Sequence, residues 1–230
     1  MKFLDSAQLL QLASGMVTTL QLFAVAWVLA FTIALTLTVV RTANVRATTF
    51  IVDAYVEYHR NVPLLVQVLF WYFGMPELLP DGVRAWLYQH NAEMSLAAIA
   101  LGLGSAAYIA EDIRSGLRAI PTTQFEAARA LGCSYLQCMR LVIVPQALRI
   151  AIPPLVGRAL LLFKNTSVAM AIGVVELTYQ TREIENETYR TFATFGAATI
   201  MYLIGSFLLM YVGSRIQAHY SLARKEGRSA

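Results

Sequence analysis

The side chains in this chain most able to do chemistry stand where the surrounding sequence argues against them. Arg158, Lys164 and Asn165, followed by Thr166 and Ser167, lie inside a hydrophobic run. An ionisable residue at the centre of an apolar helix costs about 2.5–3.5 kcal/mol on insertion scales, so it faces a bundle interior, a water-filled cavity or another subunit. Arg158 and Asn165 are two helical turns apart and therefore share a helix face. The alternative for Arg158 and Lys164 is that they snorkel or pair with a partner subunit. Gly102-Leu-Gly-Ser105 offers a serine of the kind an intramembrane protease would need, but a serine nucleophile requires a base beside it. The three histidines, His59, His90 and His219, fall near the ends of apolar runs or between them. Cys133 and Cys138 form no CxxC and have no Cys/His cluster nearby, which excludes a structural metal site and leaves two small packed side chains. No GxxxxGK[ST] loop is present, so the chain does not hydrolyse ATP itself.

The elements that must hold these residues are membrane helices. Only 14% of the 230 residues are charged and 57% are hydrophobic; a soluble domain carries about 25% charged residues. The apolar residues come in runs, as a bilayer selects, since about 20 of them cross its core. Five spans are predicted, at about 16–40, 62–79, 94–110, 150–175 and 192–214, the second reached through a polar stretch with Asp53, Glu57 and Arg60. Only helices or closed barrels satisfy the backbone in lipid, and these runs are too long for barrel strands, so the fold class is an all-α membrane bundle, one transmembrane domain over 1–230. The first run is too long for a cleavable signal. Twelve Arg and Lys residues fall in one set of connections and four in the other, which predicts the first set, and the C-terminus, inside and the N-terminus outside. The connection between spans four and five, with Glu176, Glu183, Glu185 and Glu187, is expected to be an acidic outer surface. The net charge of +4 fits basic inner loops, not nucleic-acid binding, because no basic stripe with interleaved aromatics occurs. The tail Arg224-Lys225-Glu226-Gly227-Arg228 reads as a solvated or headgroup-facing anchor. The small residues of span three, from Ala97 to Ala107, suit close helix packing or the lining of a path.

The segment at about 119–149 is too polar to span and too long for an idle connection. Thr123 with Glu126 fits a capping box, Gly132 fits a left-handed helix end, Ser134 with Gln137 repeats the capping pattern, and Pro145 is expected to limit the second helix. The result is two short helices joined at a glycine on the inner side. By itself such a hairpin also suits an interfacial membrane element.

Glu126-Ala127-Ala128, then Gly132, then Val142-x-Val144-Pro145 resembles, in residue type and spacing, the EAA segment of ABC importer permeases, with valines in place of the usual Ile and Leu. Arg60-Asn-Val-Pro-Leu-Leu-Val-Gln67, Tyr108-Ile-Ala-Glu111, Pro145-Gln-Ala-Leu-Arg-Ile-Ala-Ile-Pro-Pro154 and Lys164-Asn-Thr-Ser167 are similar to the polar amino-acid (histidine/glutamate-type) permeases. Asn61-Val62 and Met75-Pro-Glu-Leu-Leu-Pro80 most resemble the glutamate/aspartate permeases.

The resemblance implies a type I ABC importer permease (MetI-like) fold in a bacterial inner membrane, no cofactor bound by this chain, and ATP and Mg used by a partner ATPase. It implies two ATP-binding subunits, a second and related permease chain, an external solute-binding protein, and alternating access driven through Glu126, Ala127, Ala128, Gly132, Val142 and Pro145. Asn165, Thr166 and Ser167 are expected at the solute site, with Arg158 or Lys164 as counter-charge. Similar permeases for basic solutes carry Asp at the position of Asn165, so Asn165 suits a neutral or acidic solute. Tyr72, Gly74, Gly104, Ser105 and Tyr108 are secondary candidates, although Tyr72 and Tyr108 also suit the membrane interface. The competing class is an ion-coupled carrier; such folds show paired repeats and intramembrane carboxylates, and neither is evident here.

Overall fold

The computed structural model describes residues 4–42 and 45–226, with side chains to residue 220 apart from that of Thr42. The tail from Gly227 on lies outside the described residues, as do the side chains of Arg224 and Lys225. Every element found among the described residues is helical: α1 (Ser6–Thr42), α2 (Arg46–Asn61), α3 (Leu64–Leu69), α4 (Asp81–Gln89), α5 (Ala92–Arg118), α6 (Thr122–Ala130), α7 (Tyr135–Cys138), α8 (Val144–Asn165), α9 (Leu177–Thr188) and α10 (Thr191–Glu226).

α5 is the central pillar, packed against α1, α2, α3 and α8. Its small residues explain that place: Ala97, Ala100, Ala106 and Ala107 are fully buried. A Cβ on Gly102 would come within 2.8 Å of Leu29 on α1. The outer helices are bare by comparison, and α10 presents Leu203, Ile204, Phe207, Leu208 and Tyr211 on its surface. On α1, Thr32, Thr36 and Thr38 donate to carbonyls four residues earlier, at 2.8–3.0 Å, which hides their hydroxyls on an apolar helix. No buried side-chain N or O among the described residues lacks a partner, as a low-dielectric surrounding demands.

Contacts along α5 give the direction of each pass. Leu22 packs near Ala97 and Arg41 pairs with Glu111, so α1 runs parallel to α5. Asp112 pairs with Arg158 and Gly116 lies against Ala147, so α8 runs back; Gly205 lies against Phe163 and Gly213 against Val156, so α10 returns along α8. Five stretches of the described chain thus alternate in direction along the bundle. Four helices, Ser6–Arg41, Ala92–Arg118, Tyr135–Ile172 and Thr191–Tyr220, are long and apolar enough to cross alone.

The second pass differs from expectation. The apolar piece Leu64–Leu78 has 15 residues, about 22 Å of helix and too short by itself. α2 supplies the rest: Val52 and Val56 pack on Ala107, and Leu64 then lies near Gly104. The pass therefore begins near Arg46, not at 62, and is broken at Val62–Pro63 part way along α5. Arg60 accordingly lies beside Tyr108, within the pass and away from its basic end; setting it aside leaves the bias of basic residues intact.

Several proline and cap expectations are also corrected. Pro145 does not limit a helix: a wide π turn at Met139–Ile143, closed by Val144 N–H donating to Met139 O, leads straight into α8. The same device precedes Pro76, where Met75 N–H donates to Phe70 O. One extra residue in the turn makes room for the proline ring, which otherwise strikes the carbonyl four residues back. Pro153 and Pro154, expected from their missing N–H groups to break or kink the helix start, lie inside an unbroken α8; the carbonyls they deprive belong to Arg149 and Ile150, which line an open groove between α8 and α10. Thr123 and Glu126 form no capping box, because α6 starts a residue earlier, behind Pro121, and has no side-chain cap. Glu176 is not part of an acidic surface. It is fully buried, and its carboxylate accepts from Tyr179 N–H at 2.8 Å and Tyr202 OH at 2.8 Å, capping α9.

Candidate functional site

The break in the second pass sits at one level with a second irregularity. α8 ends at Asn165 and tightens into a 3-10 turn, Thr166–Ile172, that packs against α3. Between these, against Gly104 and Ser105 of α5, lies a cleft of about 110 Å³ lined by His59, Gln67, Ser105, Tyr108, Arg158, Asn165 and apolar neighbours. Irregular backbone at this depth is tolerated where it is buried in protein or faces a polar cavity.

Gln67 makes the break possible. Its Nε2 donates to Val62 O at 2.8 Å and His59 O at 3.1 Å, the carbonyls freed by the interruption and by Pro63. Its Oε1 accepts from His59 Nδ1–H at 2.6 Å. α5 passes close to this amide at Gly104, where a Cβ would stand 3.4 Å from Oε1, in ordinary contact.

Arg158 reaches the cleft from α8 with its charge engaged. Nε donates to Asp112 Oδ2 at 2.6 Å and Nη2 to Oδ1 at 3.3 Å, a two-pronged pair, and the guanidinium lies 4.8 Å from the centre of the Tyr108 ring. Arg60 stands 6.0 Å from the same ring, and no ion pair engages it among the described residues. Nearer the basic end, Arg41 joins Asp53 of α2 to Glu111 of α5, and Arg114 adds to Glu111 at 3.2 Å. This clamp holds three passes together just beyond the cleft.

The candidate residues separate on this geometry. Arg158, Asn165, Ser105 and Tyr108 meet in one cleft. Thr166 is fully buried and spends its hydroxyl on Phe163 O. Ser167 donates to Lys164 O, and Lys164 is exposed outside the cleft lining. Tyr72 lies toward the acidic end, its OH donating to Glu93 Oε1 at 3.2 Å. His59, Gln67 and Asp112 escaped sequence reasoning. The signal for Gln67 was Pro63 four residues earlier, which leaves carbonyls to be satisfied; for Asp112 it was a carboxylate one turn from Tyr108.

The second candidate feature projects from the basic end. α6 closes on Gly132 at φ +85°, with Cys133 N–H donating to Ala128 O and Gly132 N–H to Arg129 O, a Schellman end. α7 opens with a capping box in which Ser134 and Gln137 bond reciprocally. Glu126, Ala127 and Gly132 are exposed and Ala128 is buried beneath them. Leu131 and Leu136 are 85% and 73% exposed, so an apolar knob stands at the tip. Val142 is half-buried and Pro145 exposed at the root, where the hairpin joins α8.

Known proteins resemble most of the chain. The glutamate/aspartate import permease protein GltJ of Escherichia coli is 31% identical over 218 residues, 93% of this chain and 89% of that one. A probable glutamine ABC transporter permease protein, GlnM of Bacillus subtilis, is 35% identical over 173 residues, 73% and 75% of the two chains. The crystal structure of an amino acid ABC transporter with histidines superposes with a TM-score of 0.81 at 27% identity, over 95% of this chain and all of that one, and bears out the expected ABC importer permease fold. The family model for the binding-protein-dependent transport system inner membrane component matches residues 42–222. This chain belongs to that family, a multi-pass protein of the inner membrane.

Proposed function

We propose that the chain is the permease subunit of an ATP-driven importer for polar amino acids, with glutamate or aspartate as its solute. The observation that carries the proposal is the cleft at the two backbone breaks, where Asn165 and Ser105 supply neutral hydrogen-bonding groups, Arg158 is matched by Asp112, and Arg60 stands beside the Tyr108 wall as a further cation. One cation in excess complements a solute with one net negative charge, and the similarity to a glutamate/aspartate permease supports it. In this reading an external binding protein delivers solute, and two ATP-binding subunits, using ATP and Mg, press on the hairpin around Glu126, Ala127, Ala128 and Gly132. The motion reaches α8 through Val142 and Pro145, and the bundle opens to the other side. This chain binds no cofactor, and a second, related permease chain completes the path. The basic end, with the hairpin, faces the cytoplasm.

The test is uptake of labelled glutamate by the reconstituted transporter with Asn165→Ala in this chain. Turnover is expected to fall at least tenfold; unchanged affinity and turnover would remove Asn165 from the solute path. A glutamine importer is the second reading, favoured by the pairing of Arg158 with Asp112 and by the glutamine permease relative. Competition between labelled glutamate and unlabelled glutamine separates the two.

A further inference from the structure

The Arg158–Asp112 pair has the chemistry of the solute it sits beside. Arg158 holds a carboxylate through two N–H groups on the cleft wall, and that carboxylate is the chain's own. Asp112 lies one helical turn from Tyr108, with its side chain 15% exposed against 31% for Arg158, so the cation is the more accessible partner. Among the described residues no other acceptor engages Arg158, and the Tyr108 ring steadies its guanidinium at the cleft side. A planar guanidinium accepts one carboxylate in this geometry as readily as another.

We propose that Asp112 is a built-in competitor for the solute. In the empty cleft it occupies Arg158, and on entry a solute carboxylate displaces it. On release Asp112 takes the guanidinium back. The exchange keeps Arg158 paired at every stage, and the displaced Asp112 carboxylate, its side chain 15% exposed, is left to water at the open side of the cleft, a cost that solute binding must meet. It also lowers the affinity of the site by the fraction of time Asp112 holds the cation, which suits a site that must let its cargo go. Asp112 is thus a positioning residue that acts through Arg158. This inference rests on the cleft being the solute path.

The experiment measures binding of L-glutamate and of its uncharged-carboxyl analogue, glutamic acid diamide, to the complete detergent-solubilised transporter without its external binding protein, together with uptake turnover when that protein is saturated. Asp112→Asn is expected to tighten glutamate about tenfold, leave the diamide unchanged and slow turnover. Weaker or equal glutamate binding, or a gain shared by the diamide, would overturn the exchange. If Asp112→Asn does not accumulate, Asp112→Ser removes the competing carboxylate with a smaller polar side chain. It is expected to tighten glutamate about tenfold with the diamide unaffected, and equal affinity for glutamate would count against the proposal. Ser105→Trp, which fills the cleft, tells the two readings apart. If it abolishes uptake while Asp112→Asn behaves as the parent, the cleft stands and the exchange falls; if it leaves uptake intact, the cleft itself is not the path.

Discussion

Two buried polar side chains show how single residues hold the functional region. Gln67 satisfies two carbonyls that the broken second pass exposes, and among the described residues no other donor reaches Val62 O or, across the break, His59 O. Gln67→Ala leaves both unsatisfied, at about 1–3 kcal/mol each. The expected result is a clearly lower thermal midpoint in detergent, and an unchanged midpoint would deny the amide this role. Glu176 holds α9 against α1 and α10 through Tyr202 OH and Thr19 Oγ1. Burial pushes its carboxyl above the ordinary value of 4.5, against hydrogen bonds from Thr178, Tyr202 and Tyr179 that lower it. A carboxyl raised in the fold contributes stability that is complete below its unfolded pKa and is lost as pH rises through the folded one. Glu176→Gln removes the titration, so its midpoint relative to the parent is expected to rise as pH increases from about 4.5. A difference independent of pH would contradict the assignment.

At the scale of elements, the hairpin and the prolines follow opposite rules. The hairpin is fixed locally: the glycine, the Schellman end and the Ser134–Gln137 box lie within ten residues. Gly132→Ala meets no atom within 4 Å and pays only for the left-handed backbone, about 1–2 kcal/mol. It is expected to reduce uptake per ATP hydrolysed while the chain still assembles; full coupling would show that the hairpin tolerates another shape. The prolines depend on what surrounds them. Pro145 and Pro76 are accommodated by wide turns upstream, and Pro153 and Pro154 by a groove that accepts the freed carbonyls. None of these compensations is visible at the proline itself, so a sequence rule that ends a helix there fails.

For the whole molecule, the distribution of exposed surface is informative. α5 is largely buried, whereas α1 and α10 are largely bare and apolar. The described chain therefore wraps α5 and leaves the apolar faces of α1 and α10 uncovered by its own helices. Native mass measurement of the purified transporter is expected to find two permease chains with two ATP-binding subunits. One permease chain per complex would reject the paired arrangement.

Much was settled by the sequence alone. Runs of apolar residues long enough for a bilayer dictate helices, because backbone groups in lipid have no other partner. The five passes, the hairpin with its glycine, and the shared face of Arg158 and Asn165 follow from spacing, since each depends on residues within a few turns. The tertiary structure decided which of the polar residues act together. Thr166, Lys164 and Tyr72 stand apart from the cleft, and Asp112, His59 and Gln67 belong to it or beside it. That the second pass is two helices joined at a break, and that Arg158 already has a partner 46 residues away, rests on contacts between distant segments. Periodicity along one helix carries no information about what the neighbouring helix brings to the same level.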